Sequence, residues 1–249
     1  MTLVNIDETL DDLQLKGIHI IQKKEGFRFG VDAVLLANFA KVKRNGTVMD
    51  LCSGTGIIPF IIKGKSNCGL IYGIEIQDEF ADMANRTSKY NGMEDQVKFI
   101  NGDLKNLDMI KKVGRVDVVT VNPPYKLDKS GILNELDKSA IARHEVCCNL
   151  EDVIKAARTA LKDNGRFYMV HRPERLVDIL CLMRQYKIEP KRIKFVHPKP
   201  DKAPNIVLIE GQRDGGRFLK VEDPLYVHNM DDSYTEEIEK IYSSDELCL

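Results

Sequence analysis

The sequence predicts an α/β fold: a mostly parallel sheet of seven strands, with the last strand antiparallel, preceded by an N-terminal β-hairpin and a helix. Short β-branched runs alternate with helix-like stretches, which is the pattern of an open α/β sheet. Several runs are apolar on both faces, as in parallel strands covered by helices on both sides. The last two runs are joined by residues 198–204, a proline-rich loop too short for a helix, which favours an antiparallel pair.

The strand candidates share β-branched residues and flanking turn residues. They are Thr47–Leu51, Leu70–Ile76, Val97–Asn101, Asp117–Val121, Arg166–His171, Arg192–His197 and Asn205–Glu210.

Helix signals lie between these runs. Asp78 is placed to cap a helix over Glu79–Tyr90, and Asn149 is placed to cap one over Leu150–Lys162. Pro173 suits the first turn of another helix. A closing helix is expected over Tyr234–Tyr242.

The N-terminal region is expected to form a hairpin followed by a helix. Apolar residues on both sides of Lys23–Gly26 predict a turn there, within a hairpin over Leu15–Phe29. Val31–Ala40 predicts a short apolar helix. We therefore expect three parts: a hairpin and helix over 1–45, the main α/β domain over 46–221 and an acidic segment over 222–249.

Composition is that of an ordinary globular protein. The 249 residues are 43% hydrophobic and 30% charged, and no apolar run reaches the ~18 residues of a membrane-spanning helix. The acidic N-terminus has no apolar signal core, so a cytoplasmic location is expected. Six cysteines without metal-ligand spacing predict free thiols and no metal site.

Charge is distributed unevenly along the chain. Residues 222–249 hold nine acids and one base, a net charge of −8, so the rest carries +7. A basic body can bind a polyanion, although an ordinary solvated surface gives the same count. The stretch Arg184–Lys202 is basic, with seven cations and two acids, and is the candidate for contact with the backbone of such a polyanion.

Polar residues follow four consecutive predicted strands. Asp50 begins the segment Asp-Leu-Cys-Ser-Gly-Thr-Gly, in which Gly54 and Gly56 allow close backbone approach to a ligand. Glu75 ends the next strand and can accept both hydroxyls of a ribose, and Asp103 can accept an adenine amino group. Each alone could be an ordinary turn residue, but together they predict a nucleoside site of the Rossmann-like kind at the carboxyl edge of the sheet.

Two other nucleotide-binding motifs do not fit. A dinucleotide fingerprint needs a small residue where this chain has Pro59, and a phosphate-binding P-loop ending at Gly64-Lys65-Ser66 lacks the required earlier glycine.

Asn122-Pro-Pro-Tyr125 follows the fourth strand and suits chemistry on a planar amine. The Asn122 amide oxygen and the Pro123 carbonyl can each accept one N–H, which draws the amine lone pair out of conjugation. The two prolines fix φ and remove competing donors, and Tyr125 can stack on a ring.

In this order, these motifs resemble the class I S-adenosylmethionine-dependent methyltransferases that modify planar amino groups. Phe29-Gly-Val-Asp32, Ala142-Arg-His-Glu145 and His171-Arg-Pro-Glu-Arg175 are similar to the small bacterial tRNA adenine-N6 methyltransferases. The resemblance implies S-adenosylmethionine as cofactor, RNA as partner, no membrane, and a monomer or weak dimer. It implies cofactor contacts from Phe29, Gly30, Asp32, Asp50, Ser53, Gly54, Gly56, Glu75, Ile76, Asp103, Leu104 and Asn122. It implies catalysis by Asn122, Pro123, Pro124 and Tyr125, and substrate contacts from Lys126, Arg143, His144 and Arg172.

Other functions remain open at this point. The Asn-Pro-Pro-Tyr motif also serves glutamine side chains of translation factors and bases of rRNA. A non-catalytic RNA-binding module that kept the fold is the alternative from another class.

Overall fold

The computed structural model describes residues 3–25, 30–124 and 148–243. Its strands are β1 Glu8–Asp12, β2 His19–Lys23, β3 Val48–Leu51, β4 Ile71–Glu75, β5 Val97–Asn101, β6 Val116–Val121, β7 Leu161–His171, β8 Ile188–His197, β9 Ile206–Arg213, β10 Lys220–Val221 and β11 Leu225–Tyr226. Its helices are α1 Val31–Phe39, α2 Ile57–Lys65, α3 Asp78–Tyr90, α4 Leu107–Val113, α5 Leu150–Ala160, α6 Leu176–Gln185 and α7 Glu236–Ser243.

The main sheet has the order β10-β8-β9-β7-β6-β3-β4-β5. Strands β3 to β7 pair in parallel, and β9 runs antiparallel to both β7 and β8. This confirms the mostly parallel α/β sheet with its seventh strand antiparallel. The short β10 and β11 extend the sheet beyond the predicted seven strands, both parallel to β8.

Helices cover both faces of the sheet. Leu36 of α1 and Phe60 of α2 are fully buried in one apolar layer. Ile110 of α4, Ile154 of α5 and Ile179 of α6 are fully buried in the layer on the opposite face. The strands between these layers bury both of their faces, which explains the apolar runs in the sequence.

An N-terminal antiparallel hairpin is present, and in it β2 pairs with β1, an upstream strand that the sequence did not predict. The predicted pairing of β2 with residues 27–29 lies outside the described residues. The turn falls over residues 13–18, where Gln14, Lys16 and Gly17 have positive φ. The sequence did not predict β1 as a strand because β1 is acidic. The apolar side chains that pack the hairpin against the core belong to β2 and the turn.

The helix starts agree with the sequence in part. Asn149 caps α5 with a complete capping box, since its side chain accepts the Asp152 N–H and Asp152 accepts its own. Asp78 was predicted as a cap but lies inside α3, with Gln77 at the N-cap position. α5 ends at Ala160, two residues before the predicted end, because Leu161 already begins β7.

Two further predicted helices are present. Pro173 begins a short 3-10 turn, and α6 starts at Leu176 behind it. The closing helix α7 lies two residues later than expected at its start, with Ile238 fully buried.

Candidate active site

The strand order brings the predicted polar residues to one edge of the sheet. From β3 the chain proceeds outward to β4 and β5, then crosses back to place β6 on the other side of β3. This reversal opens a crevice at the carboxyl ends of β3 and β6, where open α/β sheets bind ligands. The β3–α2 loop and Asn122 therefore lie next to each other, with Glu75 on the next strand.

The β3–α2 loop is shaped by left-handed backbone conformations. Cys52, Gly54 and Gly56 have φ values of 58°, 54° and 88°. A Cβ at Gly56 would lie 2.5 Å from the Phe99 ring, so only glycine fits there. A Cβ at Gly54 would meet nothing within 4 Å, so the space over Gly54 is open.

Asp50 stabilises the β3–α2 loop through two hydrogen bonds. Its carboxylate is fully buried and accepts hydrogen bonds from the Ser53 hydroxyl at 2.8 Å and the Thr120 hydroxyl at 2.6 Å. Burial, with a smaller contribution from the nearby charge of Glu75, raises the pKa of Asp50 to about 7, although the two hydrogen bonds act to lower it. Both oxygens of Asp50 are engaged, so the residue is placed to hold the loop.

Glu75 lies beside the open space. One of its oxygens accepts the Gly54 N–H at 2.8 Å, and the other accepts the Gln77 N–H at 2.9 Å. Its side chain is almost fully buried, while the next residue, Ile76, keeps 39% of its surface exposed. A carboxylate has about four acceptor positions, so Glu75 retains capacity for a ligand hydroxyl.

The end of β5 and the turn after it are hydrogen-bonded at the same carboxyl edge of the sheet. Asn101 donates its side-chain N–H groups to the carbonyls of Glu75 and Ile76, at 3.3 and 3.2 Å. Asp103 accepts the Lys105 N–H at 2.9 Å, and Leu104 is buried beneath it. The hydrogen bonds of Asn101 therefore connect the ends of β4 and β5, where the predicted cofactor residues Glu75 and Asp103 lie.

Only the first three residues of the Asn122-Pro-Pro-Tyr125 motif lie within the described residues. Asn122 and Pro124 are half-buried and Pro123 is buried, directly after β6. Tyr125, Lys126, Arg143 and His144 lie outside the described residues. Gly30 precedes α1 as an exposed N-cap residue and Asp32 lies in its first turn, whereas Phe29 is outside the described residues.

The end of β7 adds a neutral imidazole to this edge. Burial lowers the pKa of His171 to about 4, so the ring is uncharged at neutral pH. Its Nδ1 accepts the Arg172 N–H at 2.8 Å, and the Arg172 guanidinium donates to the Asn205 carbonyl at 2.9 Å. Arg172 therefore ties the end of β7 to the start of β9.

Cys52 contacts Cys148, which precedes α5. The hydrogen bond from the Cys52 thiol to Cys148, together with burial, raises the pKa of Cys52. Cys68 and Cys181 are also free thiols. The free-thiol prediction is confirmed for these four cysteines, and Cys147 and Cys248 lie outside the described residues.

Three of the seven cations in the basic stretch over 184–202 are paired with the acidic segment that follows it. Its ion pairs with that segment are Arg192–Glu222 at 3.1 Å, Lys194–Glu237 at 2.6 Å and Lys199–Asp232 at 2.6 Å. Arg184 also pairs with Glu189. This stretch is thus a poorer candidate for an RNA contact than its composition indicates.

The sequence did not identify Thr120, Asn101 or Gln77 as part of the site. Thr120 is the register partner of Asp50 across β3 and β6. Only a correct strand pairing would have shown that a buried hydroxyl faces a buried carboxyl.

A family model described as a methyltransferase domain matches residues 42–197. This chain belongs to the methyltransferase domain family. Curated relatives include the tRNA1(Val) (adenine(37)-N6)-methyltransferase of Porphyromonas gingivalis, 27% identical over 206 residues that cover 80% of each chain. The enzyme of the same name from Dyadobacter fermentans is 22% identical and covers 88% of this chain and 89% of its own.

Solved structures agree with the methyltransferase fold. A predicted O-methyltransferase from Agrobacterium tumefaciens superposes with a TM-score of 0.69 over 87% of this chain and 98% of its own, at 18% identity. A ribosomal protein L11 methylase from Lactobacillus delbrueckii gives a TM-score of 0.51 over 74% of this chain and 78% of its own, also at 18% identity.

S-adenosylmethionine is the methyl donor of this methyltransferase. The residues at the carboxyl edge of the sheet fit that molecule. The open space over Gly54 accepts a ligand where a side chain would otherwise stand. The carboxylate of Glu75 flanks that space and suits ribose hydroxyls, and the exposed Ile76 offers an apolar surface to a base.

Two further properties concern the described residues of this methyltransferase. None of their helices combines the length and apolarity that crossing a bilayer requires. Among them, no cluster of three or more His, Cys, Asp or Glu side chains is arranged to hold a metal ion.

Proposed function

We propose that this methyltransferase modifies the exocyclic N6 of an adenine in RNA, with an anticodon-loop adenosine of a tRNA as its target. The observation that supports this most directly is Asn122-Pro123-Pro124 at the end of β6, beside the open β3–α2 loop. The curated relatives named as tRNA adenine-N6 methyltransferases support the choice of substrate.

The chemistry asks the protein to activate a weak nucleophile. An adenine amino group is conjugated with its ring, so its lone pair is delocalised. The Asn122 oxygen and the Pro123 carbonyl each accept one N–H and aim the lone pair at the methyl donor. The prolines hold these acceptors in place because their φ angles are fixed.

When bound, S-adenosylmethionine supplies a methyl group activated by its sulfonium. The contribution of the protein is then mainly to hold the two reactants in line. The methylated amine loses its proton after the transfer, so no ionised base is required beforehand. Tyr125 stacks on the adenine, a contact worth roughly 1–3 kcal/mol in other base-binding proteins.

The remaining site residues divide into cofactor and substrate contacts. Glu75 would hold the ribose hydroxyls of the cofactor and Asp103 its adenine amino group, with Leu104 and Ile76 as apolar contacts for the base. Phe29, Gly30 and Asp32 would hold the methionine end. The RNA contacts come from Lys126, Arg143, His144 and Arg172. In this proposal residues 46–221 form the catalytic unit, 1–45 the capping element and 222–249 an acidic closing segment.

A labelling experiment tests this proposal. The protein is incubated with S-adenosylmethionine labelled on its methyl group, total tRNA and a cell extract depleted of RNA. We expect the label in material that ribonuclease destroys and protease leaves intact. Label in protease-sensitive material would instead support methylation of a glutamine side chain.

A further inference from the structure

The edge of the sheet opposite Asn122 carries a basic groove. It has a volume of about 490 Å³ and lies where the loops enter β3, β4 and β5, next to the β1–β2 turn. Three cations line it, Lys16 from the turn, Arg44 before β3 and Lys63 from α2, together with the amides of Asn45 and Asn67. Among the described residues, no carboxylate lines it.

A glycine explains how the groove is built. A Cβ at Gly64 in α2 would lie 2.5 Å from the Leu15 side chain and 2.8 Å from that of Ile18. Because Gly64 has no side chain, the hairpin turn packs directly on the end of α2. This contact brings Lys16 to the same groove as Lys63.

The cations of the groove differ from those of the basic stretch on β8. Within the described parts of the chain, Lys16, Arg44 and Lys63 form no ion pair with a carboxylate, and Lys63 donates only to the Cys68 carbonyl at 3.0 Å. Lys16 and Arg44 are exposed. The positive charge of the body is therefore neutralised along β8 but not at this groove.

The carbonyls at the end of α2 oppose this charge only weakly. A helix C-terminus carries roughly half a negative charge. The Ser66 hydroxyl already donates to the Ile62 carbonyl at 2.7 Å. Three full positive charges thus outweigh what remains of the helix dipole, and the groove favours an anion.

We propose that this groove binds phosphates of the RNA substrate at a distance from the methylated base. The inference rests on the proposed function. Strands of four to six residues separate the two edges, a span of about 13–20 Å at ~3.3 Å per residue. That span is shorter than one turn of a nucleic-acid duplex, about 34 Å. A folded RNA can reach both edges at once, whereas a mononucleotide cannot.

Binding of tRNA to matched variants tests the inference. The groove variant is Lys16→Gln with Arg44→Gln, since neither side chain is hydrogen-bonded within the described residues. The control is Lys98→Gln with Lys112→Gln, which removes the same charge from exposed, unpaired positions elsewhere. The dissociation constant for tRNA is measured by fluorescence anisotropy from 50 to 200 mM NaCl.

We expect the groove variant to bind tRNA about 10-fold more weakly, with its log–log salt slope reduced by roughly 1.4–1.8, because each of the two lost phosphate contacts contributes about 0.7–0.9. The KM for tRNA rises while kcat changes little. The control keeps the wild-type slope. Equal affinities and slopes for the two variants would overturn the inference.

Two further outcomes separate the sources of the anion and the two proposals. Binding of inorganic phosphate to the wild type and the groove variant is measured by 31P NMR. If the groove variant no longer binds phosphate but binds tRNA with unchanged affinity, the inference is overturned in favour of a small-anion site. A wild type that neither binds nor methylates tRNA would overturn the proposed function itself. A wild type that methylates tRNA, alongside a groove variant of unchanged affinity, would overturn only the groove.

Discussion

Asp50 links the stability of the protein to pH. Burial raises its pKa to about 7 in the folded protein, whereas the unfolded chain has the ordinary value near 3.8. Between these values the folded state binds more protons than the unfolded state. The free energy of unfolding contributed by Asp50 therefore falls as the pH rises from about 4 to 7, and levels off above pH 7.

We expect Asp50→Asn to remove this loss, because an amide stays neutral and can bond both Ser53 and Thr120. In thermal denaturation without ligand, the variant should be more stable than the wild type at pH 8, by a few kcal/mol, and no more stable at pH 4. Asp108→Asn, at an exposed position, serves as control. A variant that is less stable than the wild type at pH 8 would contradict this account of Asp50.

Glu75 tests the cofactor site at the same scale. Glu75→Gln keeps the shape of the side chain but weakens its bonds from Gly54 and Gln77 and to the ribose. Hydrogen bonds to charged groups are worth about 1.5–3 kcal/mol, so S-adenosylmethionine should bind roughly 10- to 100-fold more weakly in calorimetric titrations. Glu79→Gln, a neighbouring exposed acid, should bind normally. If both variants matched the wild type, Glu75 would not be a cofactor ligand.

These residues also show what sequence can predict about a site. Asp50, Glu75 and Asn122 were predicted at one edge because each lies at or just after the carboxyl end of a recognisable strand, and parallel strands end at the same edge. The bonds that hold them could not be predicted. Thr120 reaches Asp50, and Asn101 reaches the backbone after β4, only through strand register, which tertiary packing determines.

At the scale of elements, α5 depends on its N-terminal cap. Asn149→Ala removes the bond to the Asp152 N–H and leaves that donor without its partner. The variant should lose about 1 kcal/mol of stability in urea denaturation. Asn149→Ser should retain most of it, because a hydroxyl also caps. Equal stabilities of the two variants would show that the capping box contributes nothing.

The hairpin shows why element prediction failed in one place. Apolar periodicity located β2, whose Ile20 and Ile21 are fully buried, but not its partner. Glu8 in β1 is buried because Arg86 of α3 pairs with it at 2.6 Å, and that bond also lowers the pKa of Glu8. A strand held by a long-range ion pair gives no apolar signal in the sequence.

At the scale of the whole molecule, Arg192 joins distant parts of the chain. It pairs with Glu210 on β9 at 2.8 Å and with Glu222 at 3.1 Å, and donates to the Phe39 carbonyl at 2.9 Å. Its guanidinium also lies 4.1 Å from the centre of the Phe39 ring. One side chain thus connects α1, the sheet and the acidic segment.

Arg192→Ala should therefore destabilise the protein by about 3 kcal/mol, because it leaves Glu210 buried with less compensation. Arg192→Lys should recover only part of this, since an ammonium lacks the planar fork. Chemical denaturation measures both. The control is Lys191→Ala at the neighbouring half-buried position, where the side chain donates to the Gly216 carbonyl and has no carboxylate partner among the described residues. A stability of Arg192→Ala equal to that of the control would contradict this role.

The acidic segment has a structural explanation that composition did not supply. Its acids pair with Arg192 and Lys194 on β8 and with Lys199 just after it. Its helix α7 buries Ile238 in the layer that includes α1. Lys65 at the end of α2 bonds to the Ile241 carbonyl as well. The charge asymmetry was visible in the sequence, but its pairing could not be, because it depends on the long-range packing of the segment along β8.

The proposed function requires Asn122 to hold an adenine amino group of RNA for methylation. This is tested by mass spectrometry of nucleosides from unmodified tRNA incubated with S-adenosylmethionine and either the wild type or Asn122→Ala. We expect N6-methyladenosine with the wild type and none with the variant, while both bind S-adenosylmethionine. N6-methyladenosine formed equally by both proteins, or by neither, would contradict it.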